Sequence, residues 1–96
     1  MRNLYLVSYD IRDQKRWRRV YRIAKGYGVQ IQYSVFYCFL SSKERVMLIT
    51  DLDSVIDHAS DRVLLANIGG SGTDIEQKVE FLGQKKDIGD HQAVIV

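Results

Sequence analysis

Tyr9-Asp10 closes an apolar, β-prone run, Asn3-Leu-Tyr-Leu-Val-Ser-Tyr9, and a segment dense in bases begins at Arg12. A carboxylate at the C-terminal end of a central strand sits where ligands commonly bind. An aspartate among arginines can hold a divalent cation, and that cation would touch a phosphate gripped by the same arginines. The same residue type also suits a turn cap. Magnesium takes one or two carboxylates and completes its shell with waters and substrate oxygens. One Asp10 per chain is a short count, which two Asp10 residues facing each other across a dimer axis would meet. The metal reading therefore requires a dimer.

The net charge of +2 says little, but its distribution says more. Arg12, Lys15, Arg16, Arg18, Arg19, Arg22 and Lys25 stand against the single acid Asp13, whereas Asp51, Asp53, Asp57 and Asp61 follow one another with no base among them. A charge run is usually a solvated helix face, but so few balancing acids point to a polyanion. Nothing in the spacing reads bases, so contact would run mainly to phosphates and be sensitive to salt. Further on, Ser34 and Phe36 share a strand face with Gln30 and Gln32. Residue type alone favours core packing for Phe36 and a satisfied hydroxyl for Ser34; the functional alternative has Ser34 donating toward a phosphate while Phe36 supports the crevice.

Other chemistries find little support. His58 and His91 are isolated surface residues, and the single cysteine, Cys38, excludes an intramolecular disulfide and a zinc-finger spacing. Asp51-x-Asp53 with Asp57 lacks the central Gly and terminal Glu of a calcium loop, and Gly69-Gly-Ser-Gly72 lacks the Lys-Ser/Thr of a phosphate loop. The chain has 96 residues, 46% hydrophobic and 27% charged, which fits one small domain rather than a disordered segment. No apolar run approaches the roughly 20 residues of a membrane helix, and the N-terminus lacks a signal pattern, so a cytoplasmic location is expected.

The elements that must position these residues follow from periodicity. The run to Tyr9 is apolar on both faces, as a central strand would be. Asp13 suits a helix N-cap, and Trp17, Val20, Tyr21, Ala24 and Tyr27 recur at helical spacing up to Gly26 and Gly28. Val29 to Phe39 alternates strictly, too long for a comfortable single strand, with a bend or turn expected near Tyr33-Ser34. Ser41-Ser-Lys-Glu44 is a capping box opening a second helix to about His58. Asp61–Ile68 reads as a strand, Gly69–Gly72 as a turn, and Lys78–Leu82 and Gln92–Val96 as short β segments. The order β-α-β-β-α-β with an extra C-terminal strand predicts an α+β, ferredoxin-like sandwich. It forms a single domain over residues 1–96, with a core to about residue 82. Residues 83–96 then supply a strand exchanged with, or added to, a partner's sheet in a homodimer.

Three stretches together resemble a known family: Tyr5-Leu-Val-Ser-Tyr9-Asp10-Ile11, Lys15-Arg-Trp-Arg-Arg19-Val20 and Gly28-Val-Gln-Ile-Gln32-Tyr-Ser34-Val-Phe36. In order and spacing they look like the CRISPR-associated protein two (Cas-two) family, and Val79-Glu-Phe-Leu-Gly83 extends the likeness. The resemblance implies a ferredoxin-like homodimer and a magnesium-dependent endonuclease on RNA or DNA, with one ion between two Asp10 residues and manganese as its expected substitute. It also implies a subunit bridging CRISPR-associated protein one (Cas-one) integrase dimers during spacer acquisition. Asp10 matches the catalytic, metal-binding carboxylate; Tyr9, Arg12, Arg16, Arg18, Arg19, Ser34 and Phe36 form the expected nucleic-acid surface. Trp17 and Tyr37 depart from the family pattern, standing where polar or basic and acidic residues are usual. A DNA scaffold without catalysis, a toxin ribonuclease resembling virulence-associated protein D, and a regulatory small-molecule module are the alternatives.

Overall fold

The structure, a computed structural model, describes residues 1–70 and 78–84. Six elements follow in the expected order: β1 (Arg2–Asp10), α1 (Gln14–Tyr27), β2 (Val29–Gln32), β3 (Val35–Ser41), α2 (Ser42–Asp53) and β4 (Arg62–Gly70). The strands form one antiparallel sheet in the order β2-β3-β1-β4, so β1 is central and apolar on both sides. This is the α+β, ferredoxin-like sandwich that the sequence predicts. No described helix is long and apolar enough to cross a membrane.

Both helices cover the same face. Val20 and Ala24 of α1 and Leu48 and Leu52 of α2 pack against Tyr5, Val7 and Tyr9 of β1 and Phe36, Cys38 and Leu40 of β3. The opposite face carries a second, smaller cluster built on Leu4, Ile31 and Tyr37. Leu6, Val35, Phe39 and Ile68 are half-buried around it.

The helix starts are local and hold as read. The Asp13 carboxylate accepts from the Arg16 N–H at 3.0 Å. Ser41 Oγ accepts from the Glu44 N–H while Glu44 accepts from the Ser41 N–H, closing the box. The bend expected near Tyr33-Ser34 is a turn that splits the alternating run into β2 and β3. A register slip beyond Gln30 accompanies it.

Three expectations are corrected. α2 stops at Asp53 rather than near His58, because side chains offer the backbone other partners. Ser54 Oγ donates to the Asp51 carbonyl, and Asp57 accepts from the Ala59 N–H and from Ser60 Oγ. Val55 and Ile56 reach the core from this turn instead of from a helix. Gly69 and Gly70 continue β4 rather than opening a turn. Residues 79–82 form no strand; Val79 and Phe81 lie against the second apolar cluster, so the segment covers a sheet face instead of pairing at an edge. The C-terminal strand expected over Gln92–Val96, and His91, lie outside the described residues, as does most of the segment 83–96.

Gly28 joins α1 to β2 and ends the helix by donating its N–H to the Ala24 carbonyl at 3.0 Å. Its φ of −164° is open to any residue, but an added Cβ would fall on the Tyr37 carbonyl and on Cys38 Sγ. Gly26, two residues earlier in the last turn of α1, has open space around the same position. Urea unfolding should therefore show Gly28→Ala losing about 2 kcal/mol or more through overpacking, while Gly26→Ala stays neutral or gains up to about 1 kcal/mol. Equal effects at the two positions would contradict this packing.

Candidate nucleic-acid site

A cleft of about 410 Å³ opens where the end of β1, the first turn of α1 and the β2–β3 turn converge. β1 delivers Asp10 to its mouth, α1 delivers Trp17, and the turn delivers Tyr33 and Ser34. The Tyr9 N–H donates to the Ser34 carbonyl at 3.1 Å, which ties the turn to the strand end. The Asp10 side chain is 70% exposed, and the nearest cation among the described residues, Arg12, stands 3.9 Å away and is equally exposed. So loose a pair leaves the carboxylate open to an incoming cation.

The wall beside Asp10 is held by a residue the sequence reading left in the acidic stretch. The Asp61 side chain is inaccessible to solvent, yet it accepts four hydrogen bonds. Arg16 Nε donates at 2.7 Å and Arg16 Nη2 at 3.2 Å; the Arg12 N–H and the Asp57 N–H donate at 2.9 and 2.8 Å. The hydrogen bond from the Arg16 guanidinium is the main reason the Asp61 carboxyl is held far below the usual carboxylate range. The same bond raises the Arg16 pKa. Arg16, expected on the phosphate surface, thus spends its fork on Asp61 and braces the turn that carries Arg12. No local spacing signals a pair this far apart in sequence.

The other expected residues divide by exposure. Arg18 and Arg19 are exposed on α1, as is Arg22, and none of them pairs with a described carboxylate. Ser34 is half-buried, and its Oγ accepts from Trp17 Nε1 at 3.3 Å, which leaves the hydroxyl proton for another acceptor. Phe36 is fully buried and Tyr9 is 5% exposed, so both rings lie beneath the cleft rather than at its surface. Burial pushes the Tyr9 hydroxyl up to about 12, so it stays neutral at ordinary pH. Cys38 is likewise pushed up to about 12 by burial and is no nucleophile. Among the described residues no group of three or more potential metal ligands occurs, so a metal held here would rest on Asp10 with ligands from elsewhere.

An aromatic column runs away from the cleft. Tyr33 stacks on Trp17 at 4.7 Å between ring centroids, Trp17 stacks on Tyr21 at 5.4 Å, and Lys25 Nζ lies 5.7 Å from the Tyr21 centroid. Tyr9 meets Trp17 edge-on at 6.1 Å from within the core. The helical spacing of Trp17 and Tyr21 is legible in the sequence; the stacking of Tyr33 on Trp17 is not.

The family model for the CRISPR-associated protein Cas2 matches residues 2–73. The CRISPR-associated endoribonuclease Cas2 1 of Rhodospirillum rubrum is 41% identical over 92 residues, covering 96% of this chain and 89% of the relative. The CRISPR-associated endoribonuclease Cas2 of Geobacter sulfurreducens is 38% identical over 96 residues, the full length of both. The crystal structure of Streptococcus pyogenes Cas2 superposes with a TM-score of 0.74 at 30% identity, covering 83% of this chain and 99% of that one.

The Asp61 clasp has a pH signature. Its folded-state pKa is depressed below an unfolded value of about 3.9, so its stabilisation is complete above that pH and fades as pH falls toward the folded pKa. Thermal melts of Asp61→Asn should lie several degrees below the unaltered chain at neutral pH, with the gap constant down to about pH 5 and shrinking below about pH 4. A gap that widens in acid would contradict the assignment.

Proposed function

This chain belongs to the CRISPR-associated protein Cas2 family, and from that premise we propose that it is an endonuclease of RNA or DNA serving CRISPR antiviral defence, with Asp10 as its catalytic carboxylate. The observation that carries the reading is an open carboxylate at the mouth of a cleft walled by Arg12 and flanked by α1, whose Arg18, Arg19 and Arg22 pair with no described carboxylate. The relatives' names as endoribonucleases support the same chemistry.

Asp10 fits magnesium as a hard, exposed oxygen donor, and manganese by the same chemistry. One chain contributes one such carboxylate to the cleft, so Asp10 of a second copy and substrate oxygens would complete the set. When bound, such an ion supplies Lewis acidity toward phosphate oxygens and a lowered water pKa. The chain's own groups orient the substrate: Arg12, Arg18 and Arg19 neutralise backbone phosphates, and Ser34 has a hydroxyl proton to offer one of them. Arg16 acts through Asp61 by fixing the backbone of Arg12.

The homodimer is supported by the sheet face turned away from the helices, where Leu6, Val35, Phe39 and Ile68 remain half-buried. In this reading residues 1–82 are the core and 83–96 complete the partner's sheet. A second reading, a non-cutting DNA scaffold docked to the Cas-one integrase in spacer acquisition, is favoured by the exposed stripe of Arg18, Arg19 and Arg22, which needs no metal to grip a duplex.

A nuclease assay with single- and double-stranded RNA and DNA, with and without magnesium, separates the two. Asp10→Asn should lower magnesium-dependent cutting by about a hundredfold or more and leave the melting temperature unchanged, since Asp10 is exposed. Cutting that is equal in both proteins excludes Asp10 as the catalytic group. No cutting in either, with salt-sensitive duplex binding retained, assigns the scaffold.

A further inference from the structure

We propose that Tyr33 is a stacking platform for an unpaired nucleobase of the strand that lies in the Asp10 cleft; this rests on reading that cleft as the phosphodiester site. Tyr33 is 73% exposed, an unusual cost for a ring at a turn tip, where a small polar residue would do. One face of the ring is already covered by Trp17 at 4.7 Å and 21° between planes. The other side is not covered by any described aromatic ring. Tyr33 also lines the same cleft as Asp10.

The ring is fixed before any ligand arrives. Trp17 is held by Tyr21 behind it, by Tyr9 at its edge and by its Nε1–H donated to Ser34. The turn itself is tied down by Gln30 Nε2 donating to the Tyr33 carbonyl at 3.2 Å. Stacking on a preorganised ring loses little side-chain entropy on binding. A base offers a flat apolar face of matching size, and every base has one, so the contact is tolerant of sequence. The neighbouring bases of α1 complement the strand's phosphates, which an uncharged aromatic ligand would not use. Bases inside a duplex have both faces covered by neighbours, so only an unpaired or terminal nucleotide can occupy the platform without unstacking cost.

The test measures binding in the presence of a chelator, so that it does not depend on catalysis. The probes are short single-stranded oligonucleotides, RNA and DNA, a covalently closed circular duplex without ends, and single strands with one abasic position walked along their length. Tyr33→Ala should weaken single-strand binding about tenfold and leave duplex binding unchanged, whereas Tyr33→Phe and Tyr33→Trp retain it. One abasic position should cost the unaltered chain about the same tenfold and cost Tyr33→Ala nothing. Unchanged single-strand binding by Tyr33→Ala, or equal losses on duplex and single strand, overturns the platform. Tyr33→Leu, which keeps apolar bulk without a ring, should behave as Tyr33→Ala; full binding by it also overturns the proposal. Asp10→Asn that cuts normally while the Tyr33 effects persist would reject the catalytic reading and leave the stacking site standing.

Discussion

Everything around the cleft hangs on the Asp61 carboxylate. Its four donors come from the β1–α1 turn at Arg12, the first turn of α1 at Arg16 and the 54–61 turn at Asp57, so one side chain ties two stretches that are far apart in sequence. A carboxylate withdrawn from water is costly unless its lone pairs are filled, and here a bidentate guanidinium and two backbone amides fill them. Removing one partner would leave a charge stranded in the wall, so the set acts as a unit. The chain thereby commits one arginine of a basic helix to architecture. The remaining arginines stay on the surface, their positions defined by a helix whose first turn is pinned.

The sheet imposes the second constraint. β1 is paired on both sides, so its end cannot move without disturbing β3 and β4. Asp10 is the last paired residue of that strand, opposite Arg62. The site's charge is therefore placed by the most rigid element of the fold, while its carboxylate is solvated. An exposed aspartate contributes little to stability, and the fold has no need of its charge. Its position in a rigid frame is what a binding or catalytic role requires.

What could be read from the sequence was local or periodic. The Asp13 cap, the Ser41–Glu44 box, the two-sided β1 and the turn at Tyr33-Ser34 each depend on residues within a few positions of one another, and each is found. The strand-end placement of Asp10 was legible for the same reason. What failed depended on distance. The end of α2 was read from apolar spacing, but Val55 and Ile56 keep their core positions from a turn closed by Asp57 and Asp61, whose carboxylate answers to Arg16. The bidentate hold of Asp61 on Arg16 likewise joins residues 45 positions apart, which charge patterning along the helix does not signal. Phe36, read as core by residue type, is fully buried beneath the cleft.

The aromatic column shows why the two kinds of signal must be combined. Trp17 and Tyr21 fall on one helical face and by themselves read as core, yet both are only half-buried. Trp17 is sheltered by Tyr33, which reaches it from the β2–β3 turn, where the register slips beyond Gln30. Phe36 and Tyr9 close the column from beneath, so a chain of ring contacts joins the buried core to an exposed ring beside Asp10. An exposed ring resting on mobile neighbours would gain little from a ligand, because binding would have to order the whole group. Here each ring is held by the next, and the outermost ring sits within the same cleft as the carboxylate. The fold thus presents a fixed flat surface, a hydrated charge and exposed cations on adjoining elements. Its rigidity comes from bonds that no ligand has to break.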